Sequence, residues 1–277
     1  MPDSVPLEIF NLTGKTAVIT GAGGVLCSEM ARNLAQVGVK IAILDINLSS
    51  AQEIRQEIFK MGGSALAVRT DVLDKASLVE AREIVIKKYR TVDILICGAG
   101  GNKSQATTSE NLDFFALPED ALKWVFNLNF LGTVLTAQVF GEIMASQGYG
   151  TILNISSMNA FRPLTRIPAY SAAKAAVSNF TQWLAVHMAK EYSPNIRVNA
   201  IAPGFILSEQ NRFLLTDQKT GEMTDRGKTI VQNVPAGRYG KPEEIVGAAV
   251  WLTSEAASFV TGAVIPIDGG FTAFSGV

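Results

Sequence analysis

Seven short apolar runs punctuate the chain: Thr16–Thr20, Lys40–Asp45, Ala65–Thr70, Val92–Cys97, Gly150–Ser156, Ile196–Ile201 and Ala263–Ile267. They are continuous Val/Ile/Leu-rich runs rather than alternating ones, the pattern of strands covered on both faces. Between them, apolar residues recur at the i, i+3, i+4 spacing of helices, clearest in Leu78–Tyr89 and Ala121–Gln147. Strand–helix alternation with right-handed crossovers predicts an α/β fold, a Rossmann-type doubly wound parallel sheet with helices on both faces. No repeat, low-complexity tract or Pro/Ser linker divides the sequence, so residues 1–277 are expected to form a single domain. The polar segment Gly204–Val234 breaks the rhythm, with a hairpin or turn expected at Lys219–Glu222. It follows the carboxyl end of a strand, where ligands bind in such sheets, so it reads as a substrate lid. The plainer alternative is a surface excursion.

Composition narrows the class. The chain is 48% apolar and 18% charged, with a formal net charge of -1. It lacks the basic excess expected of a dedicated nucleic-acid or anionic-membrane binder. M-P-D-S-V-P-L-E-I-F does not read as a secretory signal, and no uncharged apolar run of about 18 residues marks a membrane span. A cytoplasmic protein is expected. Cys27 and Cys97 lie in no CxxC and no Cys/His cluster, so neither a metal site nor a disulfide framework is expected. The single histidine, His187, sits in a helical pattern beside Trp183 and Met188 and reads as packed or surface-lying rather than catalytic.

The first strand run leads into T-G-A-G-G-V-L-C, with Gly21, Gly23 and Gly24 together. A tight strand-to-helix turn needs glycine for positive φ or close backbone approach. The helix start that follows offers free N–H groups to a pyrophosphate. That helix is expected over Val25–Val37, stopped by Gly38. Asp45 closes the second strand run, about 20 residues on, where a carboxylate bonds a ribose 2′-hydroxyl and repels a 2′-phosphate. This favours NAD over NADP. The alternative is that Asp45 caps a helix starting near Leu48. Asp71, ending the third strand run, is placed to meet the adenine.

P-A-Y-S-A-A-K places Tyr170 and Lys174 four apart, with both heads on one helix face. A tyrosine normally has a pKa of about 10. A nearby ammonium favours the phenolate and is expected to lower that value, allowing proton exchange with an alcohol or carbonyl. Ser157, ending N-I-S-S upstream, can reach the same pocket as a hydrogen-bond donor.

These features, with N-L-N-F-L-G, R-V-N-A-I-A-P-G, G-R-Y-G-K-P-E-E-I and V-T-G-A-V-I-P-I-D-G-G, occur in order along nearly the whole sequence. The set resembles the short-chain dehydrogenase/reductase family. The resemblance implies a catalytic tetrad of Asn129, Ser157, Tyr170 and Lys174. Tyr170 would be the acid/base. Lys174 would hold the nicotinamide ribose, Ser157 would orient substrate, and Asn129 would hold a water that continues the proton relay. The cofactor is expected to touch Gly21, Gly23, Gly24, Val25 and Leu26 in the loop, and Asp45, Asp71 and Val72 beyond it. Further contacts fall at Ala99 and Gly100, at Tyr170 and Lys174, and at Pro203, Gly204, Ile206 and Ser208. The family loop is TGxxxGxG; here Val25 and Cys27 stand where its second and third glycines fall. Its N-N-A-G becomes Cys97-Gly98-Ala99-Gly100. Gly23 and Gly24 are expected to keep the close approach, and Cys27 is small enough to pack.

Within the family, G-A-G-G-V-L-C, G-A-G-G-N, S-S-M-N-A-F and Q-N-R resemble the D-mannonate oxidoreductases of the short type, also called fructuronate reductases. The resemblance implies NAD(H), a small anionic sugar-acid substrate and a homotetramer. The C-terminal F-T-A-F-S-G-V is apolar enough for an interface. A sugar acid needs a cation and several hydrogen-bond partners. Candidates are Asn102 and Lys103, then Ser157, Asn159, Arg162 and Arg166, then Gln210, Asn211 and Arg212 on the lid. Two rival readings stand beside this one: another reductase of the family, acting on keto-aldonates or 3-oxoacyl thioesters, and a catalytically silent nucleotide sensor.

Overall fold

The structure of the protein, a computed structural model, describes residues 7–207, 215–217 and 220–276. Among them, strands β1 (Thr16–Thr20), β2 (Lys40–Asp45), β3 (Ala65–Arg69), β4 (Ile94–Cys97), β5 (Gly150–Ile155), β6 (Ile196–Pro203) and β7 (Val264–Ile267) form one sheet. Every pairing is parallel, in the order β3-β2-β1-β4-β5-β6-β7. All seven apolar runs are thus strands.

The helices are α1 (Val25–Gln36), α2 (Leu48–Lys60), α3 (Lys75–Tyr89), α4 (Glu119–Phe126), α5 (Gly132–Gln147), α6 (Pro168–Glu191), α7 (Asp225–Gln232) and α8 (Val246–Thr253). Their ends follow local chemistry. Asn47 caps α2 by accepting from the N–H groups of Ser49 and Ser50, and Asp74 caps α3 through Ala76. Pro168 opens α6 at a position where its missing N–H costs nothing. Helix α1 stops one residue before the expected Val37, which caps it, and Gly38 follows at φ +84.

Continuous apolar strands feed two cores. Ile19, Ile43, Ile96 and Leu153 point to one face, where they meet Met30 and Leu34 of α1, Ile58 of α2 and Leu252 of α8. Val18, Leu44, Leu95 and Ile152 point to the other, against Leu78 of α3, Phe140 of α5 and Leu184 of α6. Phe140 is fully buried, and its truncation to alanine would cost about 3–5 kcal/mol. The run Glu119–Gln147 is long and apolar enough by composition alone to cross a membrane. It is instead a core helix, since Val125, Ala137, Phe140 and Met144 are packed inside the fold. A π-helical turn at Asn127–Leu131 separates α4 from α5.

Strand order reverses between β1 and β4, which creates a crevice at their carboxyl ends. The segment 204–234 is not the uniform polar loop expected. Its last part is α7, held by Thr224, whose side chain accepts from the Gly227 N–H. The expected turn is supported by an antiparallel bridge between Thr216 and Met223. Lys219 itself lies outside the described residues.

Candidate active site

The carboxyl ends of the central strands open on a cleft of ≈ 760 Å³. One wall is backbone. Gly21 has φ +66, and a Cβ there would lie 2.7 Å from Ala99 Cα. The Gly23 N–H donates to Asp45 Oδ2 at 2.9 Å, and a Cβ on Gly23 would stand 3.0 Å from that same oxygen. Gly24 caps α1 with no side-chain bond, so the helix start that carries Val25 and Leu26 keeps N–H groups for an anion. These residues, Asp45 aside, belong to one turn, and all of them line the cleft. Asp45 does not cap α2. Its other oxygen accepts from the Asn47 N–H at 2.9 Å, and Asn47 is the cap.

Asp71 and Val72 lie farther along the same wall, with the Asp71 carboxylate accepting from the Leu73 N–H at 2.9 Å. Ala99 and Gly100 close the floor, and Pro203, Gly204 and Ile206 close the far side. A glycine cradle with no room for a Cβ, a helix start without a side-chain cap and a carboxylate at the ribose position fit a dinucleotide. Ser208 lies outside the described residues.

Ser157, Tyr170 and Lys174 meet at the centre of the cleft. The Lys174 Nζ donates to the Ile155 carbonyl at 2.8 Å and stands 5.6 Å from the centroid of the Tyr170 ring. Burial pushes the Tyr170 phenol above its ordinary value, and a hydrogen bond with the Ser157 side chain opposes the shift. Burial lowers Lys174 from 10.5 to about 8, against an opposing effect of Cys27. The expected lowering of Tyr170 by Lys174 is therefore corrected: desolvation of the buried phenolate dominates, and the opposing effect comes from Ser157. Helix α6 is held in place by Ser156, whose Oγ donates to the Lys174 carbonyl at 3.1 Å and pairs with Ser178 Oγ at 2.7 Å.

Asn129 sits in the π-helical turn and is completely buried, behind the cleft rather than lining it. Its Nδ2 donates to the carbonyls of Gly101 and Val125 at 2.7 and 2.8 Å, and its Oδ1 accepts from the Gly101 N–H at 3.2 Å. Its side chain thus fixes the loop after β4. Gly100 lies between it and the lysine: a Cβ there would stand 2.6 Å from Asn129 Oδ1 and 3.3 Å from Lys174 Nζ.

The expected substrate residues are more scattered. Asn159 lines the cleft, and its buried Oδ1 has no hydrogen-bond partner. The Asn102 Nδ2 turns to Thr107 Oγ1 at 2.9 Å, outside the cleft lining. Arg166 has φ +76 and lines a neighbouring cavity with Phe114, Pro163 and Ser171, so the structure does not bring it to Tyr170. Arg162 lines neither cavity. Lys103 Nζ lies 3.6 Å from the centroid of the Trp124 ring, and Trp124 does line the cleft. Gln210, Asn211 and Arg212 lie outside the described residues. Sequence reasoning missed Trp124, Leu164 and Phe205 as cleft residues. Only Trp124 left a signal: it precedes Leu128 by four, and both line the cleft from one helical face.

Four similarities bear on this arrangement. A family profile described as enoyl-(acyl carrier protein) reductase matches residues 21–272. An uncharacterized oxidoreductase of Haemophilus influenzae is 49% identical, over 96% of this chain and 96% of that protein. A 2-dehydro-3-deoxy-D-gluconate 5-dehydrogenase of Dickeya dadantii is 35% identical, over 96% of this chain and 99% of that one. A crystal structure from Haemophilus influenzae, of a protein provisionally named a D-mannonate oxidoreductase and solved with bound NAD, superposes with a TM-score of 0.91. It shares 49% identity, covering 96% of this chain and 98% of that one.

Proposed function

The chain belongs to the short-chain dehydrogenase/reductase family of oxidoreductases, and we propose that it interconverts D-fructuronate and D-mannonate with NAD(H). The observation that carries the substrate is the 49% identity to the NAD-bound protein provisionally named a D-mannonate oxidoreductase. Asp45 supports the cofactor, because its carboxylate closes β2 beside Gly23, where a 2′-phosphate would meet like charge.

The geometry supports the following residue roles. The buried Tyr170 stays protonated and donates its phenolic proton to the carbonyl oxygen of the keto acid. The Ser157 hydroxyl donates a hydrogen bond to the same oxygen as charge develops there. Lys174 holds its ammonium against the Ile155 carbonyl, ready to bond a ribose hydroxyl and to refill the Tyr170 proton. Asn129 fixes the Gly101 loop beneath this relay. NAD bound in the glycine cradle supplies the two-electron redox partner. Gly21, Gly23, Gly24, Val25 and Leu26 would hold its pyrophosphate, Asp45 its ribose, and Asp71 and Val72 its adenine. Ala99 and Gly100, with Pro203, Gly204, Ile206 and Ser208, would border its nicotinamide half. The unpartnered Oδ1 of Asn159 supports a hydrogen bond to a substrate hydroxyl, and Asn211 and Arg212 are the residues proposed to hold the substrate carboxylate, ahead of Asn102 and Arg166, which lie outside the cleft lining. A homotetramer fits the apolar stripe on α6, where Trp183 and Val186 are 57% and 58% exposed. Two free cysteines fit the reducing cytoplasm.

The test is NADH oxidation against keto-uronates, keto-aldonates and acyl thioesters, each repeated with NADPH. D-Fructuronate should be reduced with the highest kcat/KM, and NADH should be preferred over NADPH by at least about tenfold. Preference for 2-dehydro-3-deoxy-D-gluconate would move the enzyme to the keto-aldonate dehydrogenases. NADH binding without turnover of any carbonyl would leave a nucleotide sensor.

A further inference from the structure

Two loops meet over the central strands, and three contacts lock them together. Thr20 Oγ1 accepts from the N–H groups of Gly98 and Ala99 at 3.1 and 3.3 Å. Gly21 admits the backbone of Ala99, since a Cβ at 21 would stand 2.7 Å from Ala99 Cα. The third contact runs the other way. A Cβ on Gly98 would overlap the Cys27 sulfur, so the thiol fills the space that a side chain at 98 would need. Cys27 lies in the first turn of α1, lines the cleft and is 4% exposed. Burial raises its pKa to about 12. It is therefore a neutral packing group rather than a nucleophile.

We propose that Cys27 and Gly98 are a size-matched pair that positions the cofactor loop, the Cys27 sulfur being tolerated only because position 98 carries no side chain. The inference rests on the cleft holding NAD. The sulfur sets how closely the first turn of α1 approaches the 98–101 loop. That turn presents N–H groups to the pyrophosphate, and the 98–101 loop carries the backbone that Asn129 clamps. A shift of one loop against the other displaces both halves of the cradle together. Of the four positions where this sequence leaves its family's glycine and asparagine pattern, Val25, Cys27, Cys97 and Gly98, two form one exchange: a side chain gained at 27 and one given up at 98. Cys27 is a positioning residue, acting through backbone geometry.

The exchange can be reversed. In Cys27→Ala the sulfur is gone, and in Gly98→Ala a methyl is added where it stood. With the sulfur removed, the nearest remaining neighbours of that methyl are the Thr20 carbonyl at 3.0 Å and Ile155 Cγ1 at 3.5 Å. The experiment titrates NADH by fluorescence into wild type, both single variants and the double variant, and melts each without cofactor. Gly98→Ala alone should weaken NADH binding by about thirtyfold or more, and Cys27→Ala by about threefold. The double variant should bind within about threefold of wild type, and its melting temperature should exceed that of Gly98→Ala. If Gly98→Ala does not fold but the double variant folds and binds, the pairing stands. If the two effects simply add, if the double variant is no better than Gly98→Ala, or if Gly98→Ala matches wild type, the pairing is wrong. A wild type that takes no NADH would overturn the cofactor assignment alone, because the melting temperatures still decide whether the pair is coupled.

Discussion

The two walls of the cleft are made of different materials. The cofactor wall is backbone: Gly21 against Ala99, the Gly23 N–H on Asp45, and the Thr20 hydroxyl holding the 98–99 turn. The substrate wall is built from side chains: Trp124 on α4, Asn159 and Leu164 on the connection between β5 and α6, and Phe205 after β6. Phe205 is itself backed by Phe271, ring to ring at 5.3 Å. On the first wall, each expected cofactor residue among those described lies in the cleft. On the second, Asn102 turns to Thr107 and Arg166 faces a different cavity. A close backbone approach dictates its residue type, so the type betrays the geometry. A long side chain can point several ways from one backbone position, so its type alone betrays little.

The sharpest way to break this contrast is at Tyr170, where the walls meet. Tyr170→Phe removes the transferable proton and leaves the glycine cradle untouched. Turnover should fall by about two to four orders of magnitude, while the NADH dissociation constant stays within about twofold. Single-turnover rates and fluorescence titration read the two effects separately. Near-normal turnover would show that another group moves the proton, and a large loss of NADH binding would show that the phenol belongs to the cofactor wall.

The sequence made the sheet legible because burial on both faces demands unbroken apolar strands, as in Lys40–Asp45 and Gly150–Ile155. It made Tyr170 and Lys174 legible because helical spacing places them on one face. It did not reveal that desolvation would dominate the phenol, since burial is a property of the folded neighbourhood. Nor did it reveal how Asn129 works. That residue sits in a π-helical turn and spends its amide on Gly101, and no local pattern announces a change from α to π hydrogen bonding. The helix α7 was hidden because Asp225–Gln232 has a polar exterior and only Gly227 among its buried residues.

A middle-sized effect should separate the candidates on the substrate wall. Arg212→Ala is expected to raise KM for D-fructuronate about tenfold, the loss of one charge-assisted hydrogen bond. Arg166→Ala should change it less than about threefold, because Arg166 lines a different cavity from Tyr170. Neutral ketoses should be indifferent to both. A tenfold effect at Arg166 with none at Arg212 would mean that the loop before α6 swings inward when substrate binds. If neither variant nor their combination alters KM, the carboxylate is held by another group, and Lys103 beside Trp124 is the next cation to remove.

The smallest effect tests the ground beneath both walls, in the absence of cofactor and substrate. Lys174 titrates at about 8 in the folded protein against an ordinary 10.5. Between those values the unfolded protein binds the extra proton, so stability rises with pH, at up to about 1.4 kcal/mol per pH unit. The buried thiols act in the opposite sense. Cys27 is raised from 9.0 to about 12, and burial raises Cys97 as well, so above pH 9 the folded protein holds protons that the unfolded protein has lost. Stability then falls as pH climbs. The melting temperature of the cofactor-free protein should therefore increase from pH 8 to about 9 and decline beyond it. Lys174→Met should flatten the rise and keep the decline, since it removes the amine and leaves both thiols. The check is a thermal melt at half-unit pH steps for the two proteins. A wild-type curve with no maximum near 9, or a rise that survives Lys174→Met, would mean that the amine is not held against the Ile155 carbonyl in a dry environment. The proton relay assigned to Lys174 would then lose its physical basis.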